Sequence, residues 1–583
     1  MNKLRHFIHE HYIAIVLGCV LAFVSILPQV YLRIDHRDDG VYQGIELIPD
    51  SPWSPRIREM QDGNGFGSIY FHEGKDDPYL FQPLGAWSVA KIGNLFSLDI
   101  NNTILLSRII LSFLSFLFLY IFVFLTSREK YVALLSASVL LFAESMLSVY
   151  GIKQFLSGLS PDDFLRIARP LNPGMIYILL FGALISLWFF YKKRDFTTSI
   201  LSSVCIGLNF YNYFYTWTYL FAFGGLLTLF HFFHKEWKRG YEIMFVYIGA
   251  LIVAVPYGFN LLGAMMHPAY TETGIRFGIV ETHQPLFVGY MVILALILFV
   301  WKFPREDRVR FNFGLALLLT PFITLNQQLI TGKVLQATHY HWFFHKPVAI
   351  IFIAIIVFSL LKKSTGKTYY YAGITLVIAL SIFFGFFVQI DSYFHGTNDG
   401  GAVLIQRQKY GPVIDWLNTN APADSVIFGN NETSHITAIY TPFDVFYHRS
   451  GMYTLSETNK DLMNRMFVFY RLRGVGASDV SDTFFTEREF LSWNIYGMHY
   501  RELLGSYEAI PYVLVEESIT AYKKTLSVND DVWLLDIWKE HGVNYIVWDT
   551  VEDPTWDLDR YAFLEQVASF DTIVIYTYKN ISS

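Results

Sequence analysis

The stretch "YIAIVLGCVLAFVSILPQVYLRIDHRDDG", residues 12–40, decides the fold class of this chain. A run that is apolar to Leu32 ends in a burst of charge: Arg33, Asp35, His36, Arg37, Asp38 and Asp39. About 20 apolar residues are what a helix needs to cross a bilayer's hydrocarbon core. Lys3 and Arg5 precede the run and no small-residue cleavage site follows it, so it reads as a retained first span rather than a removed leader. Composition agrees. The 583 residues are 53% hydrophobic and 16% charged, with a mean hydropathy of +0.34, whereas soluble domains are about 25% charged. The 53 Phe and 38 Tyr suit bilayer interiors and interfaces. The net charge of −6 averages over loops on two sides and says little. Cys19 and Cys205 both lie in apolar runs, so no disulfide framework is implied.

Further apolar runs fall near 103–126, 131–150, 173–191, 197–213, 215–233, 241–262, 285–302, 311–326, 347–361 and 369–390, which with 12–31 makes eleven expected spans. With the N-terminus inside, the inner segments carry 17 Lys and Arg and the short outer loops carry six. The positive-inside bias therefore sets the orientation. It places the long first loop, 32–102, and the C-terminal region, 391–583, outside.

The outer loops hold the chemistry. The first carries "DHRDDG" (35–40), "EGKDDPY" (73–79) and "LFQPLGAWSVAKIGNLFSL" (80–98), where Trp87 and apolar neighbours at helical spacing suggest an interfacial helix. The second, "GIKQFLSGLSPDDFLRIARPLNP" (151–173), sets Asp162 and Asp163 beside Arg166 and Arg169; four residues apart, Asp162 and Arg166 could pair on a short helix. The loop at 263–284 holds Glu272, Arg276 and His283. The most loaded segment is "NQQLITGKVLQATHYHWFFHKP" (326–347), with Gln328, Lys333, Gln336, His339, His341 and His345. Three histidines so close could ligate a metal, but nothing fixes its identity or geometry. Phosphate binding fits the neighbouring lysine better, and Gly332 would allow close backbone approach. Glu144 reads as an acid inside the third span, a functional position by default or a hydrogen-bonded helix contact. Beyond residue 391, "VIDWLNTNAPADSVIFGN" (413–430) and "LLDIWKEHGVNYIVWDT" (534–550) each read as helix, turn and strand, and "DTIVIYTYKN" (571–580) alternates as a last strand. This predicts a two- or three-layer α/β domain. The aromatic, charged region 431–533 receives no assignment.

The order and sidedness of these segments resemble the GT-C superfamily of membrane glycosyltransferases, which includes protein O-mannosyltransferases and aminoarabinose transferases. The resemblance rests on the first span ending in "DHRDDG" and the long first outer loop. It continues through "RIARPLNP" (166–173), "FYNYFYTWTY" (210–219), "NQQLITGKVLQATHYHW" (326–342) and an outer C-terminal domain. The strict Asp-x-Asp and WWDYG-type motifs of oligosaccharyltransferases are absent, so peptide N-glycosylation is not expected.

The resemblance implies an inverting enzyme in a plasma or inner membrane. It would move a sugar from a polyprenyl-phosphate-linked donor to a glycan, lipid or protein acceptor outside. In that reading Asp38 or Asp39 is the general base. Arg169, Lys333, His339, His341 and Gln336 hold the donor phosphate, and Asp35, Arg37, Asp162 and Asp163 support the site. No cofactor is expected. A divalent Mg or Mn shared by the acidic pairs is the alternative, with membrane lipids as partners and no nucleic acid. The competing reading is a non-catalytic protein of the same fold, such as a lipid-binding scaffold, assembly partner or transporter.

Overall fold

A computed structural model describes residues 2–38, 40–45, 52–395, 401–497 and 512–579. Among the described residues, six helices are long and apolar enough to cross a membrane: Ile100–Ser127, Gly174–Lys193, Phe214–Phe233, Arg308–Thr331, Thr338–Ser364 and Lys367–His395. Two bent pairs pass the same test together, His9–Ser25 with Leu27–Asp35 at 52° and Trp237–Val253 with Val255–Met266 at 57°. Each second helix of a pair begins with a proline in its first turn, Pro28 and Pro256. Proline lacks the N–H that a continuous helix would need there. Three shorter apolar helices, Lys130–Phe142, Phe196–Tyr211 and Tyr290–Lys302, complete the bundle. The chain is an integral membrane protein. Close helix contact is made where side chains are small: a Cβ on Gly385 would lie 2.6 Å from Phe142, and Ser115 donates its hydroxyl to the Gly174 carbonyl at 3.0 Å.

Two sequence expectations are corrected here. The helix expected over 131–150 ends at Phe142. Glu144 begins a short 3-10 turn, and Val149–Leu156 forms a separate helix capped by Ser148. Glu144 is therefore not inside a spanning helix; Lys346 Nζ lies 3.0 Å from its carboxylate. That contact is an ion pair set off the line of a hydrogen bond. Likewise residues 161–164 are bends, so Asp162 and Arg166 do not share a helix turn. In the first loop, the expected interfacial helix is Leu84–Leu95, which buries Ala86, Val89 and Ala90 and exposes Trp87 and Leu95.

The C-terminal region builds a five-stranded sheet. We label the strands in chain order: β1 Ile279–Glu281, β2 Lys333–Leu335, β3 Val426–Gly429, β4 Asp444–Val445, β5 Val543–Asp549, β6 Leu564–Phe570 and β7 Ile573–Tyr578. The sheet order is β4-β3-β5-β7-β6, with β4, β3 and β5 parallel and β7 and β6 antiparallel. Alternation assigns the faces. Val426, Phe428 and Ile546 pack with helices Asn459–Leu472, Tyr512–Thr525 and Asp530–Glu540. Ile427, Val547 and Ile575 pack with Gly411–Asn420 and Asn431–Tyr440, and through them with the first-loop helices Trp53–Asp62 and Leu84–Leu95. The domain is therefore three-layered.

Buried charges latch this region to the helices. The Arg276 side chain, fully buried, donates to the carbonyls of Met452, Thr454 and Glu457, to Asn459 Oδ1 and to Thr273 Oγ1. Arg465 pairs with Glu457 at 2.6 Å and with Glu73 at 3.2 Å, and Glu73 also meets His541 at 2.8 Å. Lys75 bridges Glu59 and Asp444 at 2.8 and 2.5 Å.

Candidate functional site

At the helix ends that carry the C-terminal domain, a cavity of about 360 Å³ opens between two segments far apart in sequence. One wall is Asp162, Asp163, Phe164, Arg166 and Arg169; the other is Thr338, His339, Trp342 and Phe343. A smaller space of about 40 Å³, lined by Glu144, Asp162, Arg166, Tyr177 and Lys346 among others, adjoins it.

The first wall is held by one buried amide. Gln389, on the last long helix, accepts from the Leu165 N–H at 2.9 Å. It donates to the carbonyls of Val24 and Ser25 at 3.1 and 3.3 Å, where the first helix breaks. A bent helix frees carbonyls that must find donors in an apolar surrounding, and Gln389 supplies them while pinning the cavity loop. Phe164 packs beside Leu32 and Leu404, which brings the end of the first span to this wall.

The second wall is the start of a helix, not a loop. The chain is helical from Thr338, with a π turn over His341–His345, so the helix begins about nine residues before the expected 347. Thr338, His339, Trp342 and Phe343 thereby share one face. The three histidines diverge. His339 Nδ1 is 2.6 Å from the Tyr213 hydroxyl. His341 abuts Gly289, where a Cβ would come within 2.8 Å of the ring. His345 is buried, with Nε2 2.9 Å from Thr324 Oγ1. Among the described residues no three His, Cys, Asp or Glu side chains gather as a metal site. The Arg166 guanidinium stacks 3.8 Å over Trp342 and ties the two walls together.

The structure thus brings together four of the sequence-derived candidates, Asp162, Asp163, Arg169 and His339. Others lie elsewhere. Lys333 sits on β2, well exposed, 3.6 Å from Glu281 across the β1–β2 pair. Gln336 donates to the Phe277 carbonyl at 2.6 Å, and buried Gln328 donates to the Gln284 carbonyl at 2.9 Å. Gly332 closes the Gln328–Thr331 turn with φ +71° and lies against His283, so its freedom serves the chain turn. His341 is not among the residues lining the larger cavity. Asp35 accepts from the Tyr393 hydroxyl at 3.2 Å. Arg37 and Asp38 are exposed beyond it, outside the cavity lining, and Asp39 lies outside the described residues.

Sequence reasoning gave Arg166 only a helical ion pair with Asp162 and gave no role to Trp342, Tyr213 or Gln389. Gln389 carried a signal, a lone amide in the apolar run "SIFFGFFVQI"; the others are common residue types in aromatic or charged loops.

No protein-family model matches the chain, and no curated protein matches it. Solved structures do. The archaeal oligosaccharyltransferase AglB from Archaeoglobus fulgidus, in complex with an inhibitory peptide and a dolichol-phosphate, is 12% identical with a TM-score of 0.43, over 98% of this chain and 74% of that one. The arabinofuranosyltransferase AftD from Mycobacteria is 11% identical with a TM-score of 0.48, over 98% of this chain and 40% of that one. ArnT from Cupriavidus metallidurans, bound to undecaprenyl phosphate, is 11% identical with a TM-score of 0.46, over 98% of both chains. At these identities and TM-scores, none of the likenesses assigns an activity to this chain.

Proposed function

We propose that the protein is a GT-C-type membrane glycosyltransferase that takes a sugar from a polyprenyl-phosphate-linked donor whose phosphate lies in the cavity. One observation carries the reading: Arg166, Arg169 and His339 converge with Asp162 and Asp163 on a single space at the ends of apolar helices. A lipid phosphate is confined to that depth, and cationic and N–H donors there would stabilise the charge that develops as it leaves. In the reaction the acceptor oxygen bonds to the anomeric carbon as the carbon–oxygen bond to phosphate breaks. The hydroxyl proton passes to a carboxylate, and the phosphate leaves with the bonding electron pair.

The motif resemblance gives that carboxylate as Asp38 or Asp39, and Asp162 and Asp163 are the acids in the cavity wall itself. Asparagine substitution of each pair separates them. Loss of radiolabelled sugar transfer from membrane lipid in one double variant, with transfer retained in the other, identifies the base. Retention in both overturns the catalytic reading in favour of a lipid-binding scaffold. We further propose eleven spans with the N-terminus inside. A reporter after Gly240 then reads cytoplasmic and one after Ser583 reads outside; matching signals would overturn the count. The proposal requires no metal, since arginines already face the phosphate position. Loss of transfer in chelator, restored by manganese, would reverse that point.

A further inference from the structure

Arg166 lines both the larger cavity and the smaller space beside it. Its backbone is fixed on both sides: Leu165 donates to Gln389 at 2.9 Å, and the Ile167 carbonyl accepts from Ser112 Oγ at 3.3 Å. Yet among the described residues its guanidinium makes no hydrogen bond and no ion pair, and none of its nitrogens is sealed from solvent. Asp162 lines the same two spaces without pairing to it. The partner that Arg166 does have is the Trp342 indole, with Cζ 3.8 Å from the ring centroid. Lys346 also lies near that indole, at 5.8 Å, but its charge is met by Glu144 at 3.0 Å.

A guanidinium carbon that close lies flat on the ring, because an edge-on group would drive its N–H hydrogens into the ring carbons. A flat stack engages the π face and leaves the in-plane N–H fork free to bind a phosphate or carboxylate. Trp342 is a firm platform for it. Two residues earlier the Tyr340 hydroxyl lies 2.7 Å from Thr218 Oγ1, and three residues later buried His345 lies 2.9 Å from Thr324 Oγ1. We propose that Trp342 is a positioning residue: by stacking, it holds Arg166 at the cavity in place of a carboxylate, which would occupy the donors an anionic ligand needs. This rests on the reading of the cavity as a phosphate site. It adds a reason for the arginine's affinity: a phosphate meeting a carboxylate-bound arginine would have to break a charge-assisted pair first, whereas a ring does not compete for the fork.

The test uses full-length protein in nanodiscs with carbon-13-labelled arginine, the short isoprenyl monophosphate farnesyl phosphate as probe and its uncharged alcohol, farnesol, as control. The Arg166 side-chain resonances are assigned by their loss in Arg166→Gln. They should be shifted by the indole ring current and lose that shift in Trp342→Leu. Trp342→Leu should weaken farnesyl phosphate binding roughly three- to tenfold, the cost of ordering a released arginine on binding, and leave farnesol binding unchanged. Trp342→Phe keeps a ring face and should stay within about twofold of the parent. Arg166→Lys keeps the charge but loses the planar group. It should weaken farnesyl phosphate as Trp342→Leu does, and it carries the test if that variant does not fold. In the Arg166→Gln background, adding Trp342→Leu should cost nothing further. An equal Trp342→Leu penalty in that background overturns the proposal, because the indole would then touch the ligand itself. An equal loss of farnesol binding, unchanged affinity in Arg166→Lys, or no ring-current shift overturns it too. A ring-current shift that depends on Trp342, with no farnesyl phosphate binding, supports the stack and overturns the lipid-phosphate reading instead.

Discussion

At the join between the helices and the C-terminal sheet, Arg276 and Arg465 are buried and enclosed by carbonyls and carboxylates. At the cavity, Arg166 and Arg169 sit on a short irregular segment, half-buried, with an aromatic ring and an open space beside them. The residue types are the same and the surroundings are opposite. At the join nearly every donor of Arg276 has a fixed protein acceptor, so its charge holds structure together. At the cavity the charges border a volume that protein atoms do not fill. Charge enclosed by the fold holds architecture; charge that borders a cavity is placed where a ligand can reach it.

The sharpest way to break this comparison is Arg276→Met. It strands several buried carbonyls at once, each costing about 1–3 kcal/mol. Thermal unfolding and limited proteolysis should show early release of the C-terminal region. A variant as stable as the parent would show that the join does not depend on its buried charges. Arg169→Ala should behave in the converse manner. Unfolding should change by less than about 1 kcal/mol, while farnesyl phosphate binding weakens by about 1.5–3 kcal/mol, roughly ten- to a hundredfold. A large stability loss with unchanged binding would assign Arg169 to the architecture.

A pH titration sharpens the contrast at the join. Burial alone would raise the Glu73 carboxyl, but the His541 hydrogen bond and the Arg465 guanidinium outweigh it and hold it at about 2, against an ordinary value of 4.5. A carboxyl whose folded value is depressed stabilises the fold above its unfolded value and loses that contribution as pH falls through the folded one. Stability should therefore decline between about pH 4.5 and 2, and Glu73→Gln should flatten that decline in an acid unfolding series. Because Glu73 is partly exposed, solvent screening keeps the effect modest. The smallest effect is expected at Lys333→Ala. Its side chain is 62% exposed and pairs loosely with Glu281. Both stability and farnesyl phosphate affinity should shift by no more than about 0.5 kcal/mol. A tenfold loss of binding would return Lys333 to the phosphate site.

Much of the architecture was legible because it is local. Each apolar run holds helix, with 12–31, 131–150 and 241–262 each broken into two, since a segment that must satisfy its own backbone groups away from water has few alternatives. Both helix–turn–strand units of the C-terminal region were readable from alternation and turn residues, with β3 and β5 where expected. The unassigned region 431–533 gave helices such as Asn459–Leu472, whose Arg465 and Arg471 bury against other elements rather than face water. The three-residue strands β1 and β2 were missed because Ile279 finds Leu335 only through the fold.

The candidate site divides along the same line. The sequence by itself determined a many-helix membrane protein with an α/β region after residue 391, and it singled out Asp162, Asp163, Arg169 and His339 from their residue types and their loops. It could not choose among neighbours. His339 faces the cavity while His341 and His345 turn away, because a π turn and packing against Gly289 and Thr324 set their directions. Lys333 and Gln336 were equally plausible by composition, yet strand pairing and a bond to Phe277 draw them off. Only the tertiary structure decided that Arg166 stacks on Trp342, that Gln389 pins Leu165, and that Tyr213 reaches His339. Those contacts join residues more than a hundred positions apart. Their geometry depends on how helices pack and which buried donors remain to be satisfied, and no local periodicity records either.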